Sequence, residues 1–177
     1  AAAFVLSEGE TPMSLAPTLR EASDAAGLAV TNYAVSADFV NGSGGDLDAE
    51  IERVKEEVLV AEILGAPGMR HDATRGYPPD PEGPRGFDDA RPRQVEGCRA
   101  DTEVAATTGI TTMVENHGFF CQESMRVEQL VSAIDHPNFG VLVDMGNFLC
   151  ADDEPTLAVG RLMPYAFHCH AKDFHVK

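Results

Sequence analysis

Three side chains of types that hold divalent cations stand at the ends of three apolar segments. Glu115 closes ITTMVE, Asp144 closes FGVLVD and His170 closes AFHCH. Twenty-nine residues separate the first pair and 26 the second. Each interval is about one strand plus one helix, so the same height recurs on successive parallel strands. Their side chains would converge at the C-terminal rim, where α/β folds place active sites. Each residue alone has an ordinary reading: a helix-capping Asp, a buried His, a Glu paired with a core arginine. Two carboxylates and an imidazole in phase cost several kcal/mol to bury without a cation. The trio Glu115, Asp144 and His170 is therefore expected to hold a metal. Oxygen and nitrogen donors without thiolate favour Mn²⁺ or a similar ion over a structural zinc site.

Strand alternation extends the group. His117 falls on the side of Glu115, and His168 on the side of His170. His117 is expected to touch substrate or support the ligands, and His168 to do so or to sit in the core one layer down. Lys172 and Asp173 follow the last segment and are expected either to bind substrate oxygens or to form a surface ion pair. Asn147 would orient a substrate hydroxyl or cap a turn. Arg70 and Asp72 share a face of a short strand, as an ion pair or as part of the site. Arg75, Arg85, Arg91 and Arg93 would greet an anionic sugar or lie in solvent. Cys169 faces away from both histidines of HCH, which disfavours a thiolate ligand.

The elements that must position these residues alternate. Pro17 to Ala26 reads as a helix stopped at Gly27, and Leu28 to Val35 as a strand. Asp46 or Asp48 caps a helix whose apolar positions Ile51, Val54, Val58, Ala61 and Leu64 recur at three- and four-residue steps up to Gly65. A short strand spans Gly68 to Asp72. Residues 73–94, rich in Pro, Gly, Asp and Arg, read as a long loop on the active-site face. A helix from about Pro92 to Thr108 leads to a buried strand, Ile110 to Glu115. Ser124 opens a helix to about Asp135, Phe139 to Asp144 is the next strand, and Asp153 with Pro155 opens a short helix before the last strand, Tyr165 to His170. The strands are expected to be parallel and covered by helices. By length alone, a five-stranded open sheet suits 177 residues better than an α/β barrel of about 250.

Composition narrows the functional classes. Against 13 Lys and Arg stand 29 Asp and Glu, for a formal charge of −16. Such a surface repels phosphate backbones, which argues against nucleic acid. No run approaches the roughly 18 apolar residues of a membrane span, and Ala1 to Leu6 lacks a basic flank. The expectation is a cytoplasmic protein, with Cys98, Cys121, Cys150 and Cys169 as free thiols. Residues 1–177 read as a single domain, and a homo-oligomer is compatible with the sequence.

The strings TTMVENHGFF, VLVDMGNFLC and FHCHAKDFHVK resemble the xylose isomerase-like superfamily of sugar phosphate isomerases and epimerases, which also contains apurinic-site endonucleases. The resemblance runs from about Pro17 to the last residue. It implies a (β/α)₈ TIM barrel whose metal is held by a Glu on the fifth strand, an Asp on the sixth, a His on the seventh and a Glu on the eighth. The first three fall on Glu115, Asp144 and His170. The fourth has no counterpart, so the chain is expected to be an incomplete barrel of about strands 3 to 7, lacking 1, 2 and 8.

The resemblance further implies a divalent-metal-dependent isomerase or epimerase of a sugar, sugar phosphate or polyol, with Glu115 moving a proton through an enediolate. A divalent ion polarising a carbonyl beside a carboxylate base is sound chemistry for that step. In the family, the position three after the aspartate is often His; here it is Asn147, which counts against the endonuclease chemistry. The alternatives are a lyase or dehydratase of the same superfamily, and a catalytically incomplete barrel or binding module.

Overall fold

The computed structural model describes residues 6, 8–78 and 85–175. Its frame is a five-stranded parallel sheet in the order β1-β2-β3-β4-β5: Tyr33–Val35, Gly68–His71, Thr111–Glu115, Phe139–Asp144 and Ala166–His170. Between consecutive strands run α2 (Leu47–Leu64), α3 (Phe87–Thr108), α4 (Ser124–Ile134) and α5 (Pro155–Leu162), while α1 (Pro12–Ala25) precedes β1 and packs on α2. Parallel neighbours require such crossovers. The sheet is a partial barrel, which settles the length argument against the open-sheet alternative.

Local chemistry explains most boundaries. Asp46 accepts the Ala49 N–H at the start of α2, and Gly65 ends it at φ 69°. Every residue of β4 is buried, as in a strand covered on both faces. Met69, Val114, Val141 and Val143 join the large cluster shared with the helices, whereas Met113 and Leu142 lie outside it on the face that carries Glu115.

Three expected elements differ. The strand expected over Leu28 to Val35 is only Tyr33–Val35, because no register partner precedes Met69 opposite Tyr33, and Leu28 is exposed. The first helix starts at Pro12, where Thr11 and Ser14 form a capping box. The long loop expected over 73–94 ends early. Phe87 to Gln94 form the first turns of α3, whose start is set by Asp89 accepting the Gly86 N–H and by burial of Phe87, Ala90 and Gln94. Pro92 lies inside the helix rather than opening it. Of the remaining loop, residues 79–84 lie outside the described residues.

Behind β2 the sheet buries a His–Asp pair. His71 Nδ1–H donates to the Asp72 carbonyl at 2.8 Å, leaving Nε2 to face Asp101 Oδ2 of α3 at 3.1 Å. Both side chains are fully buried. Burial pushes the Asp101 carboxyl up from 3.8 to about 6, against the opposing pull of His71.

In the unfolded chain Asp101 ionises near its ordinary value, whereas the folded chain holds the proton longer. Raising the pH from about 4 to about 6 therefore withdraws stability. Asp101→Asn should remove this slope, gaining up to ~3 kcal/mol on the parent across that interval. Urea denaturation at a series of pH values measures the difference. Parallel stability curves for parent and variant would refute the assigned protonation.

Candidate metal centre

Glu115, Asp144 and His170 end β3, β4 and β5. Asp144 registers with His170, and Glu115 with Leu142, one same-face position below Asp144. Strand tilt and the longer glutamate arm close that stagger. One donor atom from each residue lies within 4.8 Å of the other two. His170 Nδ1 stands 3.6 Å from Asp144 Oδ2 and 3.9 Å from Glu115 Oε1. Both carboxylates are buried, while the imidazole is about half exposed. Two hard oxygen donors and one imidazole, open to solvent on the β5 side, fit a divalent cation with room for further ligands.

Each carboxylate is already engaged on one side. Asp144 Oδ1 accepts the Gly146 and Asn147 N–H groups at 3.0 and 3.1 Å, which directs Oδ2 at the centre. Glu115 Oε2 accepts Arg70 Nε–H at 2.5 Å, and Oε1 accepts Asn147 Nδ2–H at 3.1 Å. Lys172 Nζ reaches Asp144 Oδ2 at 3.1 Å and Asn147 Oδ1 at 2.5 Å. The two buried acids thus face two cations of the chain itself. This corrects the inference that burial of the trio by itself demands a metal: Arg70 and Lys172 offset the charge, and the case for a metal rests on the converging donors.

Most of the residues singled out from sequence lie here. Arg70 pairs with Asp72 at 3.0 Å, as the ion-pair reading has it, and also with Glu115. His117 Nδ1 contacts Asp72 Oδ1 at 2.9 Å, placing it beside Glu115 through Asp72 rather than against the donors. Asn147 both caps the turn after β4 and bonds Glu115. His168 lies one layer down, its ring 5.8 Å from that of His170 in a T-shaped contact. Lys172 pairs with Asp144 and not with Asp173, which accepts the Phe174 N–H.

Only one of the loop arginines is left for a ligand among the described residues. Arg93 donates to the Phe39 and Gly45 carbonyls, Arg91 pairs with Asp88 within α3, and Arg85 lies over the Tyr77 ring. Arg75 is exposed and helps line a cavity of about 320 Å³ together with Ser36, Asp38, Glu50, Arg53 and Asp72. Cys98 and Cys121 are buried free thiols, Cys150 and Cys169 exposed ones. Burial pushes the Cys121 thiol up to about 12, so it stays protonated and donates to Gln94 Oε1.

Two features escaped the sequence reading. Asn116 is fully buried and laces β3 to β4: Nδ2–H donates to the Asp144 carbonyl at 2.9 Å and Oδ1 accepts the Asp144 N–H at 2.7 Å. An amide directly after a strand-terminal Glu was the available signal. Gly146 allows the segment after β5 to close over β4: a Cβ there would lie 2.9 Å from the Lys172 carbonyl oxygen. That close approach brings Lys172 to Asp144.

Known proteins agree with this arrangement of strands. The sequence profile of the xylose isomerase-like TIM barrel matches residues 5–177. The chain belongs to that family. Among solved structures, this barrel is similar to 3-keto-D-glucoside 4-epimerase, YcjR, from E. coli, with a TM-score of 0.76, 17% identity, and coverage of 92% of this chain and 65% of that one. It is also similar to the probable 3-DHS dehydratase AsbF from Bacillus anthracis, at 0.66, 19%, 87% and 54% respectively. A xylose isomerase-like TIM barrel protein from Mycobacterium smegmatis in complex with magnesium gives 0.68, 14%, 93% and 68%. No curated protein sequence matches the chain. The chain spans about half to two thirds of the length of these barrels. No described helix is long and apolar enough to cross a membrane.

Replacing Asn116 by Ala should strand the buried Asp144 N–H and C=O groups. The expected loss is about 1–3 kcal/mol of stability, read from denaturant midpoints. An unchanged midpoint would show that the clamp contributes nothing.

Proposed function

We propose that this chain is part of a divalent-metal-dependent enzyme that isomerises or epimerises a small carbohydrate, a sugar, sugar phosphate or polyol, by moving a proton on a carbon beside a carbonyl. The observation that carries the reading is the convergence of one donor atom each from Glu115, Asp144 and His170 within 4.8 Å. Those three residues would hold the cation, with Mn²⁺ favoured by the donor set and Mg²⁺, Co²⁺ or Zn²⁺ as alternatives. A cation held by these three residues would supply Lewis-acid polarisation of a substrate carbonyl. The magnesium complex of the mycobacterial barrel supports a cation, and the E. coli epimerase supports the substrate class.

The chain's own groups have matching roles. Glu115 takes the proton from carbon as a general base and, as the acid, returns it to the adjoining carbon in isomerisation, whereas epimerisation needs a second group that delivers a proton to the opposite face. Arg70, bonded to Oε2 and tied to Asp72, fixes the angle of that carboxylate. His117, Lys172 and Asn147 offer hydrogen bonds to substrate oxygens from the rim, and His168 supports the base of the site. Arg75 is placed to meet a distal anionic group beside Asp72. The negative surface disfavours a nucleic-acid substrate. Residues 1–177 act as one unit in this reading, in the cytoplasm.

A second reading keeps the first step and changes its outcome. The similarity to the AsbF dehydratase, with two chain cations at the rim, favours a lyase or dehydratase in which proton abstraction is followed by loss of water. Product mass separates the two.

Incubation with Mn²⁺ and a panel of ketoses and keto acids in deuterated water should incorporate deuterium beside a carbonyl. Glu115→Gln should lower that exchange by about 10²–10⁴-fold. Asp144→Asn should weaken Mn²⁺ binding measured by calorimetry. No exchange with any substrate, together with unchanged Mn²⁺ binding in Asp144→Asn, would remove this reading.

A further inference from the structure

The two chain cations at the centre are held very differently. Arg70 is rooted on β2 and only 12% exposed, and its guanidinium contacts Glu115, both oxygens of Asp72 and the Val35 carbonyl. Lys172 follows β5 on an exposed segment, with 41% of its side chain in solvent and two polar contacts, Asp144 Oδ2 and Asn147 Oδ1. A lysine ammonium on a four-carbon stem moves easily, whereas a forked guanidinium is locked by its geometry. The ammonium also lies over the Phe174 ring, 5.2 Å from its centroid, a cation–π contact from the same exposed segment.

Lys172 occupies the one acceptor that a cation needs. Asp144 Oδ1 is committed to two backbone N–H groups, so Oδ2 is the oxygen left to face the centre. An ammonium at 3.1 Å and a divalent cation cannot share that oxygen without strong like-charge repulsion in a buried setting. Lys172 also holds Asn147 Oδ1, whose amide partner donates to Glu115.

We propose that Lys172 is the counter-ion of the metal-free centre and is expelled when a divalent cation binds Asp144, so that the ammonium becomes free for substrate oxygens only after the cation is in place. The inference rests on the metal-centre reading above and adds an order to it: cation first, substrate second. Linkage makes the effect reciprocal, so Lys172 weakens cation binding by as much as the cation weakens the lysine contact.

The chain has three lysines, Lys55, Lys172 and Lys177. Lys55 is paired with Glu52 on α2 and serves as an internal control. Reductive methylation followed by mass spectrometry should show Lys172 modified several-fold faster when Mn²⁺ is added, with Lys55 unchanged. In Asp144→Asn, Lys172 should react fast without metal. By titration calorimetry, Lys172→Met should bind Mn²⁺ about tenfold more tightly than the parent, while Lys172→Arg should bind no more tightly than it. Equal affinity in parent and Lys172→Met with metal-independent Lys172 reactivity, or weaker binding by Lys172→Met, overturns the displacement and leaves the metal centre standing. Absence of Mn²⁺ binding in the parent and in Lys172→Met overturns the metal-centre reading itself. The reactivity assay uses the unsubstituted protein, so it decides the matter even if a variant fails to fold.

Discussion

Two buried carboxylates a few ångströms apart are the constraint around which the rim of this sheet is organised. Glu115 and Asp144 end adjacent strands with their side chains directed at the same point, and an uncompensated pair of that kind would not stay ionised in the interior. Arg70 from one side and Lys172 from the other supply the opposing charge. The rest of the rim serves that arrangement: Asp72 steadies Arg70 and touches His117, Asn147 bridges Glu115 to Lys172, and the turn after Asp144 takes up its second oxygen.

The fold reaches this point through plain parallel geometry. Successive strands deliver their last residues to one end, and the helices cover the opposite face with a continuous apolar cluster. The face carrying Glu115 is where charge collects, while the helix-covered face also buries the His71 and Asp101 pair and the Thr102–Thr112 hydroxyl contact. Family membership and sheet order agree, and the chain's span of about half to two thirds of similar barrels accords with five strands.

What the sequence made legible was phase. Apolar segments ending in Glu115, Asp144 and His170 at near-equal intervals located the rim and the strand order, because parallel strands convert spacing into depth. Pairing choices among charged groups were not legible: alternation placed Arg70 and Asp72 on one face without showing that the arginine would span both Asp72 and Glu115. The start of α3 was hidden because its first turns carry charges and Pro92 in place of an apolar period; its buried side is marked by Phe87, Ala90 and the polar Gln94. The β1 segment was overread because apolar residues from Leu28 onward lack strand partners. Asn116 passed unnoticed since its contribution is to main-chain groups of another strand, which its place directly after Glu115 hints at but does not specify.

The Asn116 clamp divides the three donors into unequal partners. With both main-chain groups of Asp144 gripped by the residue that follows Glu115, the two carboxylate-bearing strand ends behave as a single rigid jaw. His170 rides on the most exposed of the five strands. Mg²⁺ takes its oxygens at about 2.0–2.1 Å and Ca²⁺ at about 2.3–2.6 Å. A mismatch in ionic radius would fall on the imidazole, so discrimination between small and large ions would be governed by how far β5 can yield.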